Sequence, residues 1–377
     1  MADIHFNKDE GSQLKLFTPG PVFVPEWVLE ELSKPNDTHR SGAYEEMHKK
    51  AREGLQKLLY TNNDCLIFTS SATGIMEACV RNFVKRDEKA LFLSIGAFGD
   101  RWYDIGVKNG KNSIKKGVEW GKALKPELVK DILSKDHYDV VLLQSNETST
   151  GVYNPMEEII PIIRDSGALV CVDTTSSIAG VKIEVDRLGI DLCLASVQKC
   201  LALPPGLAIA SISQRALGKA EQVENRGFYF DFVYFKKKSN SNQTPTTPPI
   251  PQIRALVAQL DYILNEEGLE NRFKRHTRLG KRTRIWARDM NLDMFSEKGY
   301  ESNTVSTMSN SLNLDCGKMV KEMLSKGYRI VNGYGDLADK TFRIGHMGEI
   351  TIKELEEMLE VLTDVISAQR LNKITSK

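Results

Sequence analysis

Residues 168–199 read ALVCVDTTSSIAGVKIEVDRLGIDLCLASVQK, and the parsing of this stretch decides the fold. Its opening, ALVCV, is a short continuous apolar run, the pattern of a strand covered on both faces of a parallel sheet. The run stops at Asp173. A second apolar run, DLCLAS, stops just before Gln198 and Lys199. Two such strands with a connecting segment between them place Asp173 and Lys199 at the carboxyl edge of one sheet, where open α/β folds bind ligands.

Working outward, strands and helices alternate. Strands are expected at 65–69, 90–94, 138–144 and 207–211, with helices at 73–84, 99–108 and 156–165. A helix at 43–60 precedes them, with Met47, Ala51, Leu55, Leu58 and Leu59 along one side. This alternation means an α/β fold, a mainly parallel central sheet with helices on both faces. The tract 236–252, KKKSNSNQTPTTPPIPQ, is expected to be a loop or connection rather than helix. Helices at 253–265 and 269–290 follow, the latter long enough to join two domains. Strands near 303–308, 329–331 and 341–344 and helices near 318–325 and 352–368 complete a smaller C-terminal α+β domain. The expected division is an N-terminal arm at 1–22, a large domain at 23–265 and a small domain at 266–377.

Composition narrows the class. The chain has 377 residues, 41% hydrophobic and 27% charged, with a net charge of +1, which suits a globular enzyme and argues against a nucleic-acid partner. Its six cysteines have no CxxC spacing, and Cys171 and Cys193 fall inside expected buried strands, as in a reduced compartment. The first residues lack the apolar core of a signal peptide and no run approaches membrane-spanning length, so the cytoplasm is expected and a membrane is not.

The polar residues at the strand ends then suggest a chemistry. A lysine amine facing a carboxylate across the width of a small ring is what pyridoxal 5′-phosphate (PLP) requires. The amine condenses with the aldehyde, and the acid keeps the ring nitrogen protonated. In TSSATGIMEA (69–78) a strand turns straight into a helix, offering free N–H groups and the Ser71 and Thr73 hydroxyls to a phosphate. GAFGDR (96–101) supplies Phe98 for ring stacking. QSNETSTGV (144–152) supplies hydroxyls, Thr148 above all, for the phenolic oxygen, and KTFRIGHMG (340–348) supplies Arg343, a fork for a substrate carboxylate.

In this order the chain resembles the fold-type I PLP-dependent class-V aminotransferases, most closely the alanine–glyoxylate / serine–pyruvate group. The words that carry the resemblance are TPGP (18–21), SSATGIMEA, GAFGDR, NETSTGV, VDTTSS, SVQKCLALPPG and FRIG. The resemblance implies that Lys199 holds PLP and shuttles the proton, and that Asp173 pairs with the pyridinium nitrogen. It implies Phe98 and Thr175 on the two ring faces, Thr148 on the phenolic oxygen, and Ser71, Ala72, Thr73 and Gln198 on the phosphate. Thr247 would reach the phosphate of a second subunit, in a homodimer with shared active sites. Arg343 would take the substrate carboxylate, and Gly20 in the N-terminal arm would line the substrate side.

Three positions depart from the family pattern. Ala72 stands where a second glycine is usual, Thr244 where several relatives have a phosphate-binding tyrosine, and Phe98 where many have tryptophan. The implied reaction exchanges an amino group between a small amino acid, alanine or serine, and a 2-oxo acid such as glyoxylate or pyruvate. Phosphoserine or 2-aminoethylphosphonate is the alternative donor, with His39, Arg40 and Ser41 as candidates for an anionic side chain. A PLP lyase or cysteine desulfurase would need a nucleophilic thiol, for which Cys316 ahead of a helix is the candidate, although a structural thiol is the expectation there. A non-catalytic scaffold would be expected to have lost Lys199, Asp173 or Arg343, and all three are present.

Overall fold

The apolar strands assemble into one seven-stranded sheet in the computed structural model, which describes residues 14–375. Its strands are β1 (Asp64–Thr69), β2 (Lys89–Ser94), β3 (Asn112–Gly117), β4 (Val140–Gln144), β5 (Leu169–Asp173), β6 (Leu192–Ser196) and β7 (Leu207–Ile212). Their spatial order is β1-β7-β6-β5-β4-β2-β3. Strands β5 and β6 are direct parallel neighbours, with Asp173 opposite Leu194, and Gln144 of β4 lies opposite Asp173. The sheet is parallel except for β7, which runs antiparallel to both of its neighbours. A segment as short as 197–206 can return the chain only as an antiparallel neighbour, because a parallel crossover needs a dozen residues or more.

Residues along each strand alternate between two buried layers. Leu91, Val141, Val170 and Cys193 enter one core, and Phe92, Leu142, Cys171 and Leu194 enter the other. Helices Gly42–Leu58, Met156–Asp165 and Ile250–Asp261 cover the first face. Helices α1 (Ala72–Phe83) and α2 (Ala97–Lys108) cover the second. A third core lies outside this sheet. It gathers Phe17, Leu279 and Trp286 of helix α3 (Leu269–Asp289), Met308, Phe342, Ile344 and the apolar side of helix Ile352–Thr375. Its sheet orders β8 (Val305–Ser309), β10 (Thr341–Gly345) and β9 (Val331–Asn332), all antiparallel.

Several expected boundaries shift for physical reasons. The tract 236–252 is only partly loop. Helix Phe232–Ser239 runs into its lysines and is capped at the other end by Asp231, whose carboxylate accepts Val233 N–H at 2.9 Å. Lysines suit that last turn because they face the negative end of the helix dipole. The next helix begins at Ile250, with Pro251 in its first turn, where no N–H is needed. The strand expected at 329–331 divides in two. Tyr328–Arg329 pairs in parallel with Lys15–Leu16 of the N-terminal arm, and Val331–Asn332 pairs with β10. Edge strand β3, NSIKKG, has no apolar pattern because it is largely exposed, and its lysines discourage pairing with another chain. Among the described residues no helix is long and apolar enough to cross a membrane.

Candidate active site

Strands β1, β2, β4, β5 and β6 all deliver their carboxyl ends to one edge of the sheet, and the site is built there. A cavity of about 230 Å³ opens at this edge. Ser71, Ala72, Thr73, Phe98, Thr148, Asp173, Thr175, Gln198, Lys199, Arg343 and Gly20 all line it, as the sequence led us to expect. Thr247 does not; it is exposed on the loop ahead of helix Ile250–Asp261. His39 and Arg40 are also outside the cavity, and Arg40 is engaged by Gln243 Oε1 (2.7 Å) and Thr244 O (3.3 Å).

Lys199 donates from Nζ to Thr148 Oγ1 at 2.8 Å, and that hydroxyl donates to Ser176 Oγ at 3.0 Å. Burial pulls the lysine amine down to about 8, against the opposing pull of the Asp173 and Glu147 carboxylates. An amine of this kind is partly neutral near physiological pH and hence nucleophilic. The N-terminal arm holds it from one side. Gly20 has φ +101°, and a Cβ there would come within 2.8 Å of Lys199 Cγ, so the TPGP turn needs glycine at that contact. The arm is in turn held by β10, where Gly345 N–H donates to Phe17 O at 2.8 Å.

Asp173 Oδ1 accepts both the N–H (2.9 Å) and the hydroxyl (2.5 Å) of Thr175, and Oδ2 has no partner among the described residues. Burial pushes this carboxyl up, while Thr175 and the Lys199 and Arg101 cations hold it down. A desolvated carboxylate oxygen with no donor is stabilised by a ring N–H⁺. At the other end of the cavity the Ser71 and Thr73 hydroxyls have no hydrogen-bond partner among the described residues. Helix α1 begins there with its free N–H groups. Gln198 accepts from Ser196 Oγ at 2.5 Å through Oε1, which leaves its amide donor for an anion. An unpartnered acceptor at one end, unpartnered donors at the other and an amine between them fit a phosphorylated pyridine aldehyde.

Arg343 on β10 reaches over this cavity. Among the described residues it donates only to Thr148 O and Asn332 O, both at 3.3 Å, and burial pulls its guanidinium down to about 10. No carboxylate of the described residues forms an ion pair with it, so a substrate carboxylate would supply the missing counter-charge.

Sequence reasoning missed four residues that shape this site. Glu147 is fully buried. Its oxygens accept the Phe98 and Gly99 N–H groups (3.1 and 3.2 Å) and the Ser149 N–H and hydroxyl (3.0 and 2.7 Å). It thereby caps helix α2, whose N-cap, Gly96, has no side chain to do so. A Cβ at Gly96 would lie 2.4 Å from Glu147 Cγ. Burial pushes the Glu147 carboxyl up, and the Ser149 and Gly99 donors oppose that. Glu147→Gln turns an NH₂ toward two of these donors. We expect about 2–4 kcal/mol lower stability, read by urea unfolding of the apoprotein; a loss below about 0.5 kcal/mol would remove Glu147 as the anchor of Phe98.

Arg272, buried on helix α3, braces the far side of the Lys199 turn. It donates to Cys200 O (2.6 Å) and Ala179 O (3.0 Å) and pairs with Glu267 and Glu349. Arg101 and Tyr334, joined by a 2.5 Å hydrogen bond, form the cavity wall beside Phe98. None of the four has a local sequence pattern that separates it from surface charge or core aromatic residues. Cys316 agrees with a structural thiol: burial pushes it up to about 11 and it lies outside the cavity, so it is no activated nucleophile.

The Aminotransferase class-V family model matches residues 30–313 of this chain. An uncharacterized aminotransferase of Methanocaldococcus jannaschii is 39% identical over 90% of this chain and 89% of its own length. The serine–glyoxylate aminotransferase of Methylorubrum extorquens is 32% identical over 89% of this chain and 86% of its own. Among solved structures, the alanine–glyoxylate aminotransferase from Nostoc sp. superposes with a TM-score of 0.90 at 27% identity. That match covers 95% of this chain and 96% of the Nostoc chain.

Proposed function

This chain belongs to the class-V aminotransferase family, and from that premise we propose that it exchanges an amino group between a small L-amino acid of the alanine or serine type and glyoxylate or pyruvate. The cycle is ping-pong, through pyridoxamine phosphate. PLP, the coenzyme of this family, accepts the amino group at its aldehyde carbon and draws electrons into its ring. Each chain residue has a definite task. Lys199 would bind the coenzyme and would carry the proton released from the substrate Cα. Asp173 Oδ2 would accept a hydrogen bond from the ring nitrogen, and Thr148, whose hydroxyl proton now goes to Ser176 Oγ, would turn it to the phenolic oxygen. Phe98 and Thr175 confine the ring. Ser71, Ala72, Thr73 and Gln198 hold the phosphate, and Arg343 takes the α-carboxylate beside Gly20.

One observation carries this reading: the Lys199 amine, the unpartnered Asp173 oxygen and the unpaired Arg343 open into a single cavity. The test is single-turnover mixing of the coenzyme-loaded protein with L-alanine and L-serine, followed by glyoxylate or pyruvate. Loss of the coenzyme's absorbance band with the amino acid and its return with the oxo acid support the proposal. A band that no amino acid alters would end it.

Two further parts of the proposal concern assembly and setting. Thr247 is exposed and outside its own chain's cavity, so we assign it to the phosphate of a second subunit in a homodimer. Mixing Lys199→Ala chains with Thr247→Asp chains then regenerates one intact site per mixed dimer, about a quarter of full activity. No recovery after subunit exchange would show that the site is complete within one chain. All six cysteines are free and buried, which suits a reducing, cytoplasmic setting.

A further inference from the structure

Arg101 is the one cavity-lining cation with no task in the reaction as derived so far. It lies on helix α2 one turn beyond Phe98. Its guanidinium carbon stands 4.7 Å from the centre of the Phe98 ring, and Nη2 donates to Tyr334 Oη at 2.5 Å. Among the described residues no carboxylate pairs with it. The adjacent Asp100 is engaged by Lys115 at 3.2 Å and by Ser94 Oγ at 2.8 Å, and Glu147 is used by four other donors.

The contrast with the other sequestered arginines is direct. Arg52 faces Asp64, Arg226 faces Asp231, and Arg272 and Arg275 face Glu267 and Glu349. Arg284 and Arg254 also have no ion-paired acid among the described residues, but backbone carbonyls and an amide occupy them, whereas Arg101 and Arg343 line the cavity. A partly desolvated guanidinium with no counter-charge is costly, and an anionic ligand removes that cost.

Building on the transamination reading but replacing its alanine or serine donor, we propose that Arg101 is a second anion-binding group of the substrate pocket, so that the preferred amino donor carries an anionic side chain, carboxylate or phosphate, besides its α-carboxylate. Tyr334 sets the relation between the two arginines. Arg343 lies 5.4 Å from the centre of its ring, and Arg101 binds its oxygen, so one aromatic ring separates the two cations. A donor with its α-carboxylate on Arg343 extends its side chain past Tyr334 toward Arg101. Because the Tyr334 oxygen already accepts from Arg101, its own proton is left to donate to the same anion. Phe98 takes the flat face of the guanidinium, which leaves the N–H edge for the ligand.

The test compares kcat/KM for L-alanine, L-aspartate and L-phosphoserine in the wild type, Arg101→Gln and Tyr334→Phe. We expect the wild type to prefer an anionic donor. Arg101→Gln should lower kcat/KM for that donor about 30-fold or more beyond any change with alanine, and Tyr334→Phe should act in the same direction to a smaller degree. The aspartate and phosphoserine arms tell carboxylate from phosphate. Equal losses for alanine and the anionic donors, or a wild type that prefers alanine, would overturn the assignment.

Calorimetric binding of maleate and of propionate to the coenzyme-loaded protein makes the test independent of turnover. Maleate should bind at least about tenfold more weakly to Arg101→Gln, with propionate little changed. Maleate binding that is unchanged also overturns the assignment. If the wild type processes neither these three donors nor L-serine, the transamination reading falls, while the maleate measurement still decides Arg101.

Discussion

Lys199→Ala should lower single-turnover transamination by about 10⁴-fold or more, since in the proposed reaction it removes both the amine that would bind the coenzyme and the group that would move the proton. The absorbance band of protein-bound coenzyme should disappear with it. Loss of fold is not the cause, and stability measurements make that visible. The amine is depressed by burial to about 8, below the ordinary lysine value, so the folded chain binds fewer protons than the unfolded chain between those two values. The resulting cost of burial is fully present below about 8 and falls away as pH rises toward the ordinary lysine value. The alanine variant of the apoprotein should therefore unfold no earlier than its parent at pH 7, and any advantage should shrink at high pH. The same depression predicts that the wild-type apoprotein takes up the coenzyme faster as pH rises through about 8, because only the neutral amine attacks. An uptake rate flat across that range would show that the amine is not sequestered as described.

Asp173→Asn is the second large effect. The amide keeps the shape of the side chain and can still accept the Thr175 N–H through its oxygen, so the turn after β5 should persist. What it loses is the negative charge that, in the proposed reaction, would face the ring nitrogen. Without that charge the ring gives up its proton more readily and withdraws electrons less well when the substrate Cα is deprotonated. We expect the single-turnover rate to fall about 10²–10³-fold, the range typical for removing one preorganised electrostatic contact. Far-ultraviolet circular dichroism and thermal unfolding should stay close to the parent. A variant within about tenfold of wild type would mean that Oδ2 does not meet the ring nitrogen, and the orientation of the coenzyme would have to be reversed.

Legibility in the sequence followed burial symmetry. ALVCVD and DLCLAS could be read as strands because both of their faces are covered, which forces a continuous apolar run on the chain. Helix Met156–Asp165 was placed at its observed limits, because a strongly one-sided helix has a period that no other structure shares. The edge strand β3 had no such constraint and went unread. The KKKS segment was assigned to loop because lysines give no period, although they suit the end of a helix. The cavity-lining residues were largely legible because they lie at strand ends or in the small-residue turns that follow, where chain chemistry and chain geometry coincide.

The sequence by itself determined the alternation of strands and helices, the two layers that cover the sheet, and the placing of Asp173 and Lys199 at one sheet edge. These follow from short-range periodicity, which is written residue by residue. Only the tertiary structure decided that β7 returns antiparallel, and that Arg272 braces the Lys199 turn from a helix far along the chain. It alone decided that Glu147 is a buried cap rather than a surface acid, and that Arg101 and Arg343 line one pocket with no acid ion-paired to either among the described residues. Those outcomes depend on which charges lose water and which partners meet after packing, and the free energy of a charge is set by its surroundings in space rather than by its neighbours in the chain.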